Sequence, residues 1–232
     1  MKILAIEAST EQLSIALYVD GQVKQLVAAE PRRHAEAALP MIDQLLADAG
    51  IGKRMLDAIA FGRGPGAFTG VRLACSMAQG LGFGLDRPTY GVSSLETLAR
   101  RMVELGAASP VLALLDARMG ELYAAGYALI DQRWCESIPE QLVAPKDLTL
   151  PGDDQWQVAG SGWLSHQQML QQKFGYRMAG LERGAAPDAV WVARIAAERM
   201  SAGIRTSVDA ALPVYLRDKV AFTTSERLQA RG

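Results

Sequence analysis

Residues 62–72, Gly62-Arg63-Gly64-Pro65-Gly66-Ala67-Phe68-Thr69-Gly70-Val71-Arg72, constrain this chain more than any other stretch. Glycines clustered around one proline specify a tight backbone turn at places a Cβ would obstruct. A short apolar run, 57–62, precedes the turn and a helical pattern, about 68–84, follows it. The turn therefore delivers the chain into a helix N-terminus, where unbonded N–H groups favour anions. No Gly-Lys-Ser/Thr ending makes it a Walker loop, and no acidic residue follows the next strand as a dinucleotide fingerprint requires. Two readings stay open on these residues alone. Gly64, Pro65, Gly66 and Gly70 form either a structural turn that lets the helix pack closely, or an anion or partner site.

Around this turn the chain alternates strand and helix patterns. Residues 2–8 read as a buried strand, and 13–19 and 22–28 as two more, joined by Asp20-Gly21, a strong two-residue hairpin signal. Ala38, Ile42, Leu45, Leu46 and Ala49 recur at helical spacing and Gly50 stops them. Pro40 predicts a kink there or a regular helix that begins near Leu39, because proline inside a helix costs about 3 kcal/mol. Strands at 89–92 and 111–116, a helix over 94–105 capped by Ser93 or Ser94, and strands at 121–129 and 132–138 follow. Residues 156–159 form a strand ending at Gly160-Ser161-Gly162, and Pro187-Asp188 opens an alanine-rich helix over 188–201. The tail after Arg217 reads as polar and loose. The result is two β-rich units, 1–106 and 107–232, whose β-β-β-α-β-α opening is neither a Rossmann nor a TIM pattern.

Composition excludes several classes. Lys and Arg number 24 against 25 Asp and Glu, a formal charge of −1, so the chain has no overall basic surface for phosphate neutralisation. Any nucleic-acid contact is expected to come mainly from another subunit. Cys75 and Cys135 fit neither a disulfide framework nor a zinc spacing, and are expected reduced and buried. Glu7 follows only four apolar residues, too few for a signal-peptide core, and no run is long and apolar enough for a membrane helix. The expected compartment is the cytoplasm, with no membrane association.

Three turns carry candidate chemistry. Glu7-Ala8-Ser9-Thr10 follows the first strand, Asp116-Ala117-Arg118 follows the first strand of the second unit, and Gly160-Ser161-Gly162 follows a later one. Facing one another across a cleft, Glu7, Ser9, Thr10, Asp116, Arg118, Gly160 and Gly162 form a candidate weak nucleotide site, although the same residue types also simply make turns. Metal chemistry is poorly supplied: His34 and His166 lie far apart and no HExxH or paired-Cys spacing occurs. No GxSxG elbow marks a nucleophile. In the helix 68–84, Ala74, Ala78 and Gly82 recur at steps of four, as do Gly80 and Gly84. Such a face suits close packing, on its own sheet or on a partner.

Together Ile3-Leu4-Ala5-Ile6-Glu7-Ala8-Ser9-Thr10, Arg33-His34-Ala35-Glu36 with Leu39-Pro40, the 64–72 string, Asp116-Ala117-Arg118-Met119-Gly120-Glu121-Leu122-Tyr123 and Pro213-Val214-Tyr215-Leu216-Arg217 resemble the TsaB (YeaZ) family. The resemblance runs over nearly the whole chain and is densest before residue 125. It implies an α/β fold of the actin/hexokinase/Hsp70 type, two related domains of mixed sheet with flanking helices. It implies a non-catalytic subunit that works with a TsaD-type catalytic subunit and a TsaE-type ATPase. That complex transfers a threonylcarbamoyl group to N6 of the adenosine next to the anticodon. It also implies a homodimer when the chain is alone, tRNA contact only through the complex, and no cofactor of its own.

The implied partner surface lies on the helices 34–49 and 68–84, with His34, Leu39, Ile42, Phe68, Thr69, Arg72, Cys75, Ala78 and Gly82 as its residues. TsaD-type chains carry Gly-Val-Asn-His-Leu-Glu-Gly-His, whose histidines bind metal. The similar stretch here is Gly91-Val92-Ser93-Ser94-Leu95-Glu96-Thr97-Leu98, with Ser94 and Leu98 at the histidine positions. Leucine cannot ligate a metal and serine does so poorly. Glu7 stands where the family commonly has Asp. The competing expectations are a small phosphotransferase or ATPase using Glu7, Thr10 and Asp116, and a metallopeptidase, which the missing ligands oppose.

Overall fold

The computed structural model describes residues 1–28, 30, 33–107, 110–131, 133–182 and 185–217. Three strands open the chain: β1 (Lys2–Glu7), β2 (Ser14–Val19) and β3 (Gln22–Val27). Asp20 and Gly21 take positive φ, 48° and 95°, as a tight hairpin requires. α1 (His34–Asp48), β4 (Ala58–Gly62), α2 (Phe68–Leu85) and β5 (Thr89–Val92) complete a sheet of order β3-β2-β1-β4-β5. The chain continues through α3 (Ser94–Glu104), β6 (Val111–Asp116), β7 (Leu122–Ile130), β8 (Arg133–Val143), β9 (Trp156–Ala159), α4 (Ser161–Phe174), β10 (Met178–Glu182) and α5 (Ala189–Ser201). The second sheet runs β8-β7-β6-β9-β10. In each sheet the first strand is central, antiparallel to the second and parallel to the fourth. The same strand order used twice, with helices on both faces, is the actin/hexokinase-like arrangement.

The period of two in β1 sends alternate side chains to opposite faces. Leu4 and Ile6 join Phe61 under α1 and α2, where Ala38, Ile42, Ala74 and Ala78 are fully buried. Ile3 and Ala5 join Val92 beneath Val192, Ile195 and Ala196 of α5. In the second sheet α3 covers Val111, Ala113 and Leu115, and α4 covers Leu112 and Leu114. Two helices thus cross over: α3 leaves the first sheet to cover the second, and α5 returns from the second to cover the first. The start of α5 is satisfied twice, by Asp188 accepting from the Trp191 N–H at 3.1 Å and by Ser14 Oγ accepting from the Ala189 N–H at 2.9 Å.

Several expectations are corrected. α1 runs continuously from His34 through Pro40. Pro40 and Glu36 both lie on the exposed side, so the Glu36 carbonyl that loses its donor can turn to water. β8 extends to Val143 and contains Pro139, tolerated because β8 is an edge strand beside register shifts. α4 and β10 are absent from the sequence reading, and α4 begins inside the expected Gly160-Ser161-Gly162 turn. Its helical pattern is weak and it breaks regularity at His166. Cys75 is buried but Cys135 is only half-buried, and both are free. The tail after Arg217 lies outside the described residues.

The glycine-rich turn earns its composition by close approach. A Cβ on Gly70 would sit 1.8 Å from the Ala8 carbonyl oxygen, and one on Gly66 2.4 Å from that of Ser9. The Ala67 N–H donates to the Ser9 carbonyl at 2.6 Å. The turn after β1 therefore lies directly against the start of α2, and backbone atoms there leave no room for a side chain. Gly70→Ala is expected to destabilise the fold by about 3 kcal/mol or more, by overpacking against backbone. Gly80→Ala, where a Cβ meets open space, is expected to stabilise it by about 0.5–1 kcal/mol. Denaturant titration of the two variants checks the contrast.

Candidate functional site

Two surfaces bring sequence-predicted residues together. The first is a cleft of about 800 Å³ between the units, walled by the turns after β1 and β6, the first turns of α2 and α4, and residues 214–217. Ser9, Thr10, Asp116 and Arg118 line it, as predicted residues. Arg118, Met119 and Gly120 take positive φ in succession, which swings Arg118 outward to 76% exposure. Its guanidinium lies 3.6 Å from Asp116 and 3.7 Å from Glu11. Asp116 also accepts from the Arg118 N–H at 2.8 Å and the Ser165 hydroxyl at 3.1 Å, while Ser161 Oγ accepts from the Asp116 N–H at 3.3 Å. Ser161 and Ser165 are one helical turn apart, a spacing invisible in the sequence reading because α4 was not recognised.

Glu7, Gly160 and Gly162 do not line this cleft. Gly160 and Gly162 instead let the α4 start lie against Leu114 of β6: a Cβ on Gly160 would fall 2.2 Å from the Leu114 carbonyl oxygen. Glu7 is 1% exposed, and its carboxylate fills the space that a Cβ on Gly62 would need. It accepts from the Ser9 N–H at 2.6 Å and from the Ser94 hydroxyl at 3.3 Å. Burial pushes the Glu7 carboxyl above the ordinary glutamate range. The hydrogen bonds from Ser9 and Ser94 oppose that rise, and the Asp188 charge adds to it. A carboxylate so enclosed is a buried anchor between β1, β4 and α3, rather than a group that reaches an ion in the cleft.

Ser94 and Leu98, which the resemblance sets at the histidine positions of TsaD-type chains, are equally enclosed. Ser94 and Leu98 are 0% exposed, the first bonded to Glu7 and the second in the core beneath α3. Among the described residues, no three of His, Cys, Asp and Glu are grouped to hold a metal ion. His34 lies beside the Glu11 carbonyl at 3.0 Å, outside any such group.

The second surface is the outer side of α1 and α2. Here the placement of the predicted partner residues divides. Ile42, Cys75, Ala78 and Gly82 face inward, and the Ala74–Ala78–Gly82 stripe packs on the first sheet. The reason is steric: Gly82 meets Thr89 and Arg87, and only small side chains let α2 lie this close. His34 is half-buried, while Leu39, Phe68, Thr69 and Arg72 are exposed. The outward face continues through Ser76, Gly80 and Phe83, spaced at three or four residues. Phe83 is 83% exposed and Leu39 54%. Sequence reasoning missed Phe83; its signal was a large aromatic ring between Gly80 and Gly84, off the buried stripe.

Comparison with known proteins places the chain in a family. Residues 28–221 match the family described as TsaD: tRNA N6-adenosine threonylcarbamoyltransferase. The chain is 37% identical to the tRNA threonylcarbamoyladenosine biosynthesis protein TsaB of Escherichia coli, over 96% of this chain and 97% of that one. It is 35% identical to the protein of that name from Haemophilus influenzae, over 96% of both. Among solved structures, YeaZ from Pseudomonas aeruginosa superposes with a TM-score of 0.83 at 37% identity, covering 93% of this chain and 99% of that one.

Glu7 yields a pH prediction. Its folded-state pKa is raised from the ordinary 4.5, so the folded chain holds a proton that the unfolded chain releases first. The stability tied to that proton is full below the ordinary value and is lost as pH rises through the raised one. Gln at position 7 keeps the shape without the proton. The stability advantage of Glu7→Gln over the parent is therefore expected to widen from acid to neutral pH, read as unfolding midpoints. A gap that does not change with pH would contradict the assignment.

Proposed function

We propose a function on one premise: the chain belongs to the TsaB family of tRNA threonylcarbamoyladenosine biosynthesis proteins. It is read as the non-catalytic partner subunit of the complex that modifies the adenosine next to the anticodon. In that reading it acts in the cytoplasm with a TsaD-type catalytic subunit and a TsaE-type ATPase, pairs with itself when alone, and meets tRNA only through the complex. The unit 1–106 carries the docking helices, and the second sheet lies within 107–232, which also supplies α5 to the first. The observation that carries this reading is the enclosure of Ser94 and Leu98, where a TsaD-type chain holds its metal. A hydroxyl spent on Glu7 and an aliphatic side chain in the core supply no first ligand for catalysis.

What is left for the molecule to do lies on its surface. Phe68 and Phe83 expose large rings at the two ends of α2 and Leu39 an apolar side chain on α1, side chains of the kind that a partner covers. A stable interface there would bury roughly 1,600 Å² in total. A second reading, a weak nucleotide-binding ATPase or phosphotransferase, has the volume of the cleft in its favour. Against it stands Glu7, which is sealed away from that cleft.

The purified chain is expected to transfer no threonylcarbamoyl group by itself and to form a complex with a TsaD-type protein. Transfer by the lone chain would overturn the reading. Phe83→Asp is expected to weaken that complex by at least about tenfold, the loss of about 1.4 kcal/mol of binding. Its unfolding midpoint should stay close to that of the parent, because the ring touches little of its own fold. Calorimetric titration and thermal melting together check both halves.

A further inference from the structure

The sequence pattern Pro213-Val214-Tyr215-Leu216-Arg217 has not been given a role so far, yet it is held at both ends. Downstream of α5 the chain returns along α2. The Ala211 carbonyl accepts from Cys75 Sγ at 2.9 Å and from Gln79 Nε2 at 2.6 Å. The Val214 N–H donates to the Arg63 carbonyl at 2.8 Å, inside the glycine-rich turn. Tyr215 then meets the first turn of α2. Arg72 Nε donates to the Tyr215 hydroxyl at 2.6 Å, and the Arg72 guanidinium lies 3.5 Å from the Phe68 ring centre. The Phe68 and Tyr215 rings are 5.5 Å apart.

Two residues later the segment leaves the first unit. Arg217, whose side chain is 13% exposed, pairs with Glu121 at 2.7 Å and donates to the Ala117 carbonyl at 3.0 Å. Both belong to the turn between β6 and β7, on the far wall of the cleft. A partly buried arginine with one carboxylate and two carbonyls, those of Ala117 and Arg118, is a strong, directional anchor. One end of a seven-residue segment, 211–217, is therefore bonded along the docking helix and the other is fixed to the second unit.

We infer that Tyr215 and Arg217 are positioning residues for partner docking: they fix the first turn of α2, and with it Phe68 and Arg72, against the second unit. This rests on the docking reading given above. Arg72 is exposed and could point many ways; Tyr215 and Phe68 hold it in one. Ordering a long side chain before association removes an entropic cost from binding. It also makes the relative placement of the two units and the shape of the docking face a single coupled variable.

The test uses the full chain in two arms. Hydrogen exchange on the free chain compares the parent, Arg217→Ala and Tyr215→Phe. Both variants are expected to speed exchange of amides 71–75 in α2, although the hydrogen bonds of Arg217 reach only the β6–β7 turn. Faster exchange confined to 117–121 in Arg217→Ala would overturn the inference. Calorimetry with the TsaD-type protein is expected to show binding about tenfold weaker for Arg217→Ala. Arg217→Glu combined with Glu121→Arg is expected to recover part of the affinity lost in Arg217→Glu alone. Unchanged affinity in Arg217→Ala with a parent chain that binds would refute the coupling. A parent chain that fails to bind would instead refute the docking reading, and the exchange arm would still decide whether the segment positions α2.

Discussion

The carbonyls of Ala8 and Ser9 lie against the backbone of residues 66–70 at distances no side chain permits, and the rest of the molecule is arranged around that approach. It joins the end of β1 to the start of α2, so the central strand of the first sheet and its main covering helix move as one body. The same turn reaches outward in two directions. The Arg63 side chain pairs with Glu140 of β8 at 2.9 Å, and its carbonyl receives Val214. The glycine-rich loop is thus a hub of backbone contacts, which explains its composition without any bound anion.

Glu7 shows how the same turn redirects a catalytic-looking residue. In sequence it is an acid after a strand, at the place where phosphate-handling folds put one. In the structure Gly62 opens a pocket for its carboxylate beneath the surface, and Ser9 and Ser94 complete its hydrogen bonds. Burial raises its pKa above the ordinary glutamate range, and the enclosed carboxyl serves as a stationary anchor. Asp116, its counterpart in the second unit, remains at the cleft but is bonded to Ser165 and the Arg118 backbone. The two acids that appear equivalent along the chain occupy different electrostatic environments.

The interlocking of the units gives the fold its second source of rigidity. α5 covers the sheet that is remote in sequence, α3 passes from the first sheet to cover the second, and Arg101 of α3 pairs with Asp188 at the start of α5 at 3.1 Å. Glu96, also on α3, pairs with Arg199 of α5 at 2.6 Å, and burial holds its carboxyl above the usual range against the pull of Arg199, Arg100 and Arg63. These pairs lie between α3 and α5, the helices that cross over between the two sheets.

Local pattern was sufficient for much of this. Alternation, the Asp20-Gly21 hairpin, the serines at 93 and 94 and the Pro187-Asp188 helix opening specified strands and helices through contacts between near neighbours, which a sequence displays directly. The quoted motifs carried the family, and the absence of imidazoles at positions 94 and 98 was legible without coordinates. Other features needed the folded chain. The weakly patterned α4 was invisible, and α2 carries small residues on two faces, so periodicity could not say which was inside. Only packing against Thr89 and Arg87 decided that the Ala74–Gly82 side is core and that Phe83 is outward. The burial of Glu7 and the anchoring of Arg217 depend on partners tens of residues away. Local propensity encodes what a residue does with its neighbours in the chain; which distant atoms close around it is settled only when the sheets and helices come together.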